Sequence, residues 1–363
     1  MNDRTYRMDS HKLYWHLDRL QAWAKGERIA PIHIDVGLSK GCNIKCHYCF
    51  GALQGNLYKQ GRDQYFQREP LLRYMRDAGK VGVRSMAFIG EAEPLLNPHV
   101  YEAIDVATQA GVDIGLGTNG VLFDIGAAGE KALEQLIWIR FNISAASDDA
   151  YRRLHGSKDF STFVEKVKFC VATKAKKGLP VTIGFQMVLT PQDVGEVLPL
   201  TELAKNLGID YFEIKHCGDT KQNDLGIYKK LDQYDEFTEV LEKAETQGSD
   251  HFKVIVKWNN ISKKGRRTYD CCLGAPFLLY SSGDGKLYHC GLFFSHREAE
   301  FRLGDLNTES FADIVNGDRY WEIMRRIENG IDVHKECYTS CKTNAINDFL
   351  FQLKQPPKHI NFI

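Results

Sequence analysis

Apolar, β-branched runs of strand length punctuate the first two-thirds of the chain: IHIDVGLS, SMAFIG, VDIGLGTNG, WIRFNIS, VTIGFQMVL and YFEIKHC. Between them lie segments with helical spacing of apolar residues, among them VYEAIDVATQAG, FVEKVKFCVATKAKKG and LPLTELAKNLG. Each of these three ends on a Gly of the kind that follows a helix C-terminus. Strand and helix in alternation predict βα units on a parallel sheet. Six units between about 32 and 245 suit a partial (β/α)6 TIM-type barrel, and a doubly wound sheet as well. In a barrel, chemistry gathers at the C-terminal ends of the strands, and the unusual motifs of this chain fall there. An amphipathic helix over roughly 9–27 precedes the first strand.

The alternation stops near residue 250. FKVIVKW reads as one more strand, after which the chain becomes loop-rich and carries five cysteines from Cys271 to Cys341. This predicts an N-terminal helical extension (1–30), a barrel (31–250), a small cysteine-rich domain (251–345) and a C-terminal helix with its tail (346–363). Pro356 and Pro357 stop that last helix, and the apolar end is expected to pack back on the body.

Charge narrows the partners. Lys plus Arg and Asp plus Glu both number 47 in 363 residues, so nothing favours nucleic acid or a charged membrane surface. The start of the chain does not read as a signal peptide, and no apolar run is long enough to cross a bilayer; a cytoplasmic location is expected. In a reducing compartment, ten cysteines serve as metal ligands, catalytic groups or buried thiols rather than disulfides.

Three of them, in Cys42-x3-Cys46-x2-Cys49, follow the first strand. Close thiols on a loop suit an iron–sulfur cluster, and three protein ligands leave one iron open. Structural zinc, with His47 or a distant Cys as fourth ligand, is the alternative, although His47 adjoins Cys46 and joint chelation is awkward.

Taken with Tyr48 before the last Cys and the βα pattern, this motif resembles the radical S-adenosylmethionine (SAM) superfamily. FIGEAEPLLNP is similar to the family's Gly-rich segment for the amino group of SAM, with Gly90 opening it and Glu93 pairing the ammonium. Ala92, where many members have glycine, and the extra acid Glu91 depart from that pattern. The resemblance also implies SAM contacts for Thr118 and Asn119 in GLGTNG, for Ser144 and Arg153 after the fourth strand, and for Gln186, with Gly184 admitting the adenine. It covers about residues 30–230. It implies a [4Fe-4S] cluster, bound SAM and an electron donor such as flavodoxin or ferredoxin. The chemistry implied is reductive cleavage of SAM to a 5′-deoxyadenosyl radical that abstracts hydrogen.

The second set is Cys272-x17-Cys290 followed by Cys337-x3-Cys341, with GKLYHC reading as a hairpin that delivers Cys290. It resembles the shortened auxiliary-cluster domain called twitch, a relative of the SPASM type, and implies one auxiliary [4Fe-4S] cluster. Cys271 and Cys272 compete for one ligand position; CLGAPF resembles the domain's opening segment and selects Cys272. Zinc again is the alternative. Cys170, in an amphipathic helix, reads as a buried thiol.

Cys217 ends the sixth strand on the same face as Lys215, with His216 opposite. Cys217 suits a hydrogen-atom donor and Lys215 or His216 a base, and a half-buried structural thiol fits Cys217 equally. Asp219 and Asp224 suit a polar substrate. Only about thirty residues precede the first strand, which argues against a peptide-recognition domain. The expectation is therefore a small polar substrate (a sugar, aminocyclitol or nucleotide sugar) that is oxidised or epimerised. A peptide-modifying radical SAM enzyme and a non-catalytic iron–sulfur protein are the alternatives.

Overall fold

The computed structural model describes residues 5–49, 64–220 and 225–362. Seven strands run parallel and in chain order: β1 (His33–Val36), β2 (Ser85–Phe88), β3 (Asp113–Thr118), β4 (Leu136–Asn142), β5 (Thr182–Leu189), β6 (Tyr211–His216) and β7 (Lys253–Val256). The helical crossovers between them make an open, partial barrel, with FKVIVKW adding β7 to the expected six. On the other edge, β8 (Leu278–Ser281) pairs parallel with β1, then β9 (Lys286–Tyr288) pairs antiparallel with β8 and short β10 (Gly304–Asp305) with β9. The hairpin read from GKLYHC is β8–β9, and it extends the barrel sheet rather than standing apart.

Side-chain alternation sorts the wall into two faces. Ile34, Val36, Met86, Phe88, Ile139, Phe141, Phe212 and Ile214 join a core with helix residues such as Leu72, Met75, Ile104 and Val167. Positions of opposite parity, among them Asp35, Arg140, Gln186, Glu213 and Lys215, line the inner face and are polar. The helices Phe160–Lys177 and Val197–Leu207 stop at Gly178 and Gly208, whose φ values of 63° and 72° cost glycine little.

Three glycines let the ends of β1, β2 and β8 meet. A Cβ on Gly90 would stand 2.8 Å from Gly37 Cα, one on Gly37 2.8 Å from Gly283 N, and one on Gly283 1.9 Å from Ser39 O. Gly90 thus serves close backbone approach. No such need applies at Ala92, which is absent from the positive-φ residues.

The N-terminal helix is broken. A 3-10 turn, Leu13–Trp15, and a helix, Leu17–Ala24, meet at His16, whose φ of −127° and ψ of 49° are not helical. The break lets Leu13 enter a separate apolar patch with Ile29, Leu273, Phe277 and Leu350. The tail departs from expectation: after the helix Asn344–Lys354 it is exposed, with Phe362 at 85%, because Leu350 already faces that patch. Among the described residues no helix is long and apolar enough to cross a membrane.

Gly90→Ala is expected to destabilise the protein by about 1–3 kcal/mol through overpacking. Gly195→Ala, where an added Cβ meets nothing within 4 Å, is the matched control in denaturant unfolding.

Candidate active site and cluster cavity

The three-cysteine loop is capped onto a helix. Lys45 N–H donates to His155 O at 2.9 Å and His47 N–H to Leu154 O at 3.1 Å, satisfying carbonyls at the C-terminus of the helix Asp148–His155. Gly156, at φ 58°, allows this approach, since a Cβ there would sit 2.8 Å from Lys45 O. His47 turns to Asp193, 3.2 Å away, and that hydrogen bond raises its pKa.

His155, which the sequence reading passed over, is fully buried. Its Nε2 lies 3.0 Å from Ser144 N, an amide that can only donate. The neutral ring therefore carries its proton on Nδ1, 3.1 Å from Cys46 Sγ. Burial pushes its pKa down to about 3, so the ring stays neutral. The only sequence signal was a His in the last helical turn before a Gly.

Glu93 is the hub of the neighbouring loops. Its Oε1 accepts from Thr118 Oγ1 at 2.6 Å and Leu95 N–H at 3.1 Å, and its Oε2 from Asn119 N–H at 2.8 Å. A carboxylate offers about four acceptor positions, so one remains for a further donor. Burial raises its pKa to about 7. Asn119 Nδ2 reaches Asn43 Oδ1 at 2.7 Å and Cys42 Sγ at 3.8 Å. Glu91 pairs with buried Lys40 at 3.0 Å and accepts from Gly283 N–H at 3.2 Å, joining this loop to the β8–β9 turn.

Other expected contacts are placed differently. Ser144 Oγ lies 3.0 Å from Tyr48 Oη and accepts from Val188 N–H at 3.2 Å, tying β4 to β5. Arg153 points outward, its side chain 60% exposed and paired with Glu196, because it sits on the solvent face of its helix. The space over Gly184 is filled: a Cβ there would stand 2.2 Å from the Tyr211 ring, so it does not admit an adenine. Gln186 is on the inner wall and donates to Asn142 Oδ1 at 3.0 Å. Asp224 lies outside the described residues.

Cys217 is buried, and its Sγ lies 3.8 Å from Tyr48 O in the cysteine loop. Burial, then Asp219, pushes its pKa up to about 12, which keeps it a thiol. His216, on the other face, meets Thr339 Oγ1 at 3.3 Å.

The donor sets fit iron–sulfur clusters. Burial first, and then the neighbouring thiols, raise Cys46 well above the ordinary value, and burial with Glu93 and Cys49 raises Cys42 to about 12; the three sulfurs share one site. Among the described residues, no three His, Cys, Asp or Glu side chains converge on a single ion position, and ligands to separate corners of a cubane need not converge. Cys272, Cys290, Cys337 and Cys341 line a single cavity. Asn347 Nδ2 reaches Cys272 Sγ at 3.7 Å, whereas Cys271 packs on the Leu13 patch. Lys342, next to Cys341, pairs with Asp35 on β1 at 2.7 Å. Although burial opposes it, Lys342 and His33 hold the Asp35 carboxyl well below the usual range.

A family model for the radical SAM superfamily matches residues 36–214, and one for an iron–sulfur cluster-binding domain, SPASM, matches 277–343. The AdoMet-dependent heme synthase of Methanosarcina barkeri is 22% identical over 87% of this chain and 92% of its own. The PqqA peptide cyclase of Gluconobacter oxydans is 25% identical over 60% of this chain and 59% of its own. In fold, the chain resembles Streptococcus suis SuiB bound to S-adenosylmethionine, with TM-score 0.64 and 16% identity over 86% of this chain and 73% of that one. SuiB bound to precursor peptide SuiA gives 0.59 at 15% identity, over 87% and 72%.

Hydrogen bonds to ligating sulfurs help to set cluster potentials. His155→Leu is expected to make the potential of the cluster held by Cys42, Cys46 and Cys49 more negative, and His155→Gln to recover part of the shift. An EPR-monitored redox titration in a Cys272→Ala, Cys290→Ala background reads this, and an unchanged potential would remove His155 from the account.

Proposed function

The chain belongs to the radical SAM superfamily and carries a C-terminal iron–sulfur cluster-binding domain, and from this we propose that it is a peptide-modifying enzyme. What supports the reading is the company this domain pair keeps. A curated relative is a peptide cyclase, and the fold resembles that of SuiB, also seen with a precursor peptide. The sugar-like substrate expected from the sequence has less support. A non-peptide substrate is the second reading, favoured by the match to heme synthase over nearly its full length.

In this proposal Cys42, Cys46 and Cys49 hold the radical SAM cluster, and Cys272, Cys290, Cys337 and Cys341 hold one auxiliary cluster. When bound, cluster and SAM together supply a radical that takes hydrogen from an unactivated C–H bond. The chain's own residues position and protect. Glu93 offers its remaining acceptor position to the SAM ammonium, and Thr118 and Asn119 hold that carboxylate in place. Lys40 with Asp284, and Lys342 with Asp35, fix the auxiliary domain against the barrel. Cys217 keeps a hydrogen on Sγ at the inner wall, close to the cysteine loop, where it can be given to a substrate carbon in an epimerisation. Lys215, on the same face, is the group for a proton or a charge; oxidation and epimerisation are both open to this arrangement.

The test is anaerobic incubation of the cluster-loaded protein with SAM, reductant and a peptide library, read by 5′-deoxyadenosine release and peptide mass. Peptide-stimulated release with a changed peptide supports the proposal; stimulation only by small metabolites or tetrapyrroles contradicts it. For an epimerisation, Cys217→Ala should retain SAM cleavage and lose solvent deuterium from the product, and unchanged deuterium uptake would end the donor role. Only ionised Glu93 pairs an ammonium, so SAM affinity should rise by up to about tenfold per pH unit below about 7. Above about 8 it should fall again as the SAM amine loses its proton. Equilibrium dialysis from pH 5.5 to 9 reads both limbs, and a flat profile would separate Glu93 from the ammonium.

A further inference from the structure

The inner wall carries a cation that its own carboxylates do not pair. Arg140 on β4, Lys215 on β6 and Lys257 just after β7 gather round Glu213, itself on β6. Arg140 Nη1 and Lys257 Nζ each lie 3.0 Å from one oxygen of that carboxylate, so both oxygens are engaged. Although burial opposes ionisation, Lys257 and Arg140 hold Glu213 down at about 2. Lys257 also donates to Met8 O.

Lys215 is left over. Among the described residues it makes no hydrogen bond or ion pair, and Arg140 Nε is buried with no partner. Burial, then the Arg140 and Lys257 charges, push Lys215 down to about 8. Asp9 and Glu245 are further carboxylates near Lys257; burial raises Asp9 to about 6, with Lys257, Glu213 and Glu245 among its neighbours. Arg140 and Lys257 take both oxygens of Glu213, so among the described residues no carboxylate of the wall is left within hydrogen-bond reach of the Lys215 ammonium. Lys215 is half-buried, and a half-buried cation without a partner finds its counter-charge when an anion arrives. A guanidinium edge beside an ammonium suits a planar carboxylate.

We propose that Arg140 and Lys215 form a carboxylate subsite on the inner wall that holds an acidic side chain, Asp or Glu, of the peptide substrate. The subsite rests on the peptide reading above. It lies two residues along β6 from Cys217, about 6.6 Å of strand rise, so a peptide held there by its carboxylate presents neighbouring carbons to the cysteine loop. This makes acidic residues the specificity feature of the substrate.

The experiment is anaerobic calorimetric titration of the cluster-loaded protein, with saturating SAM, using acetyl-Ala-Glu-Ala-amide, its Gln twin, and glutarate as a non-peptide carboxylate. Wild type should bind the Glu peptide about tenfold more tightly than the Gln peptide. Lys215→Met should bring the two within about threefold, and Lys215→Arg should keep the preference, which controls for folding. Equal binding by wild type, or a preference that survives Lys215→Met, overturns the subsite. So does an equal loss of SAM affinity in Lys215→Met, because the cation would then serve the cofactor's own carboxylate. Lys215-dependent binding of glutarate with neither peptide bound supports the carboxylate subsite and overturns the peptide as its source.

Discussion

Much of the site depends on one buried carboxylate. Glu93 takes hydrogen bonds from Thr118, Asn119 and Leu95, while its own backbone bonds Gly41 and Ser39. That knot ties the loop after β2, the end of β3 and the start of the cysteine loop into one unit. Burying a carboxylate without a full counter-charge is unfavourable, and its raised pKa records the cost. The arrangement makes sense as a place prepared for a cation. Around it, Gly37, Gly90 and Gly283 let three chain ends approach at backbone distance, so the cysteine loop and the auxiliary hairpin share a foundation.

The auxiliary domain is built into the barrel sheet. Pairing of β8 with β1 continues the parallel wall, and two ion pairs, Lys40–Asp284 and Lys342–Asp35, bind the domain to the loops and inner face beside it. In each pair one member, Lys40 or Asp35, is buried, and there removing its partners would leave a charge stranded. The two cysteine groups are thereby held in a fixed relation, as electron exchange between clusters would require.

What could be read in advance follows the range of the interactions. Strands, helix stops and the three-cysteine loop are local patterns, and the strands and helix stops stand where periodicity puts them. His155 acts on Cys46 across 109 positions and Lys342 on Asp35 across 307, and no local pattern carries such contacts. Arg153 and Gly184 show the converse. Each sits in the expected element, but helix rotation turns the arginine to solvent and the Tyr211 ring occupies the glycine's space. Glu91, which departs from the family's pattern, is a structural pair for Lys40. The substrate class was least legible, because the charges proposed to select it stand on β4, β6 and just after β7 and meet only when those strands are assembled.

The central claim is that two separate sets of thiols each hold a cluster. Iron and sulfide content with EPR, on anaerobically prepared wild type and on the Cys42→Ala, Cys46→Ala, Cys49→Ala variant, tests it most directly. About eight irons per chain in wild type and about four in the variant, as two cubanes require, is the expected result. About four in wild type and none in the variant would contradict it, leaving the cavity of Cys272, Cys290, Cys337 and Cys341 without a cluster.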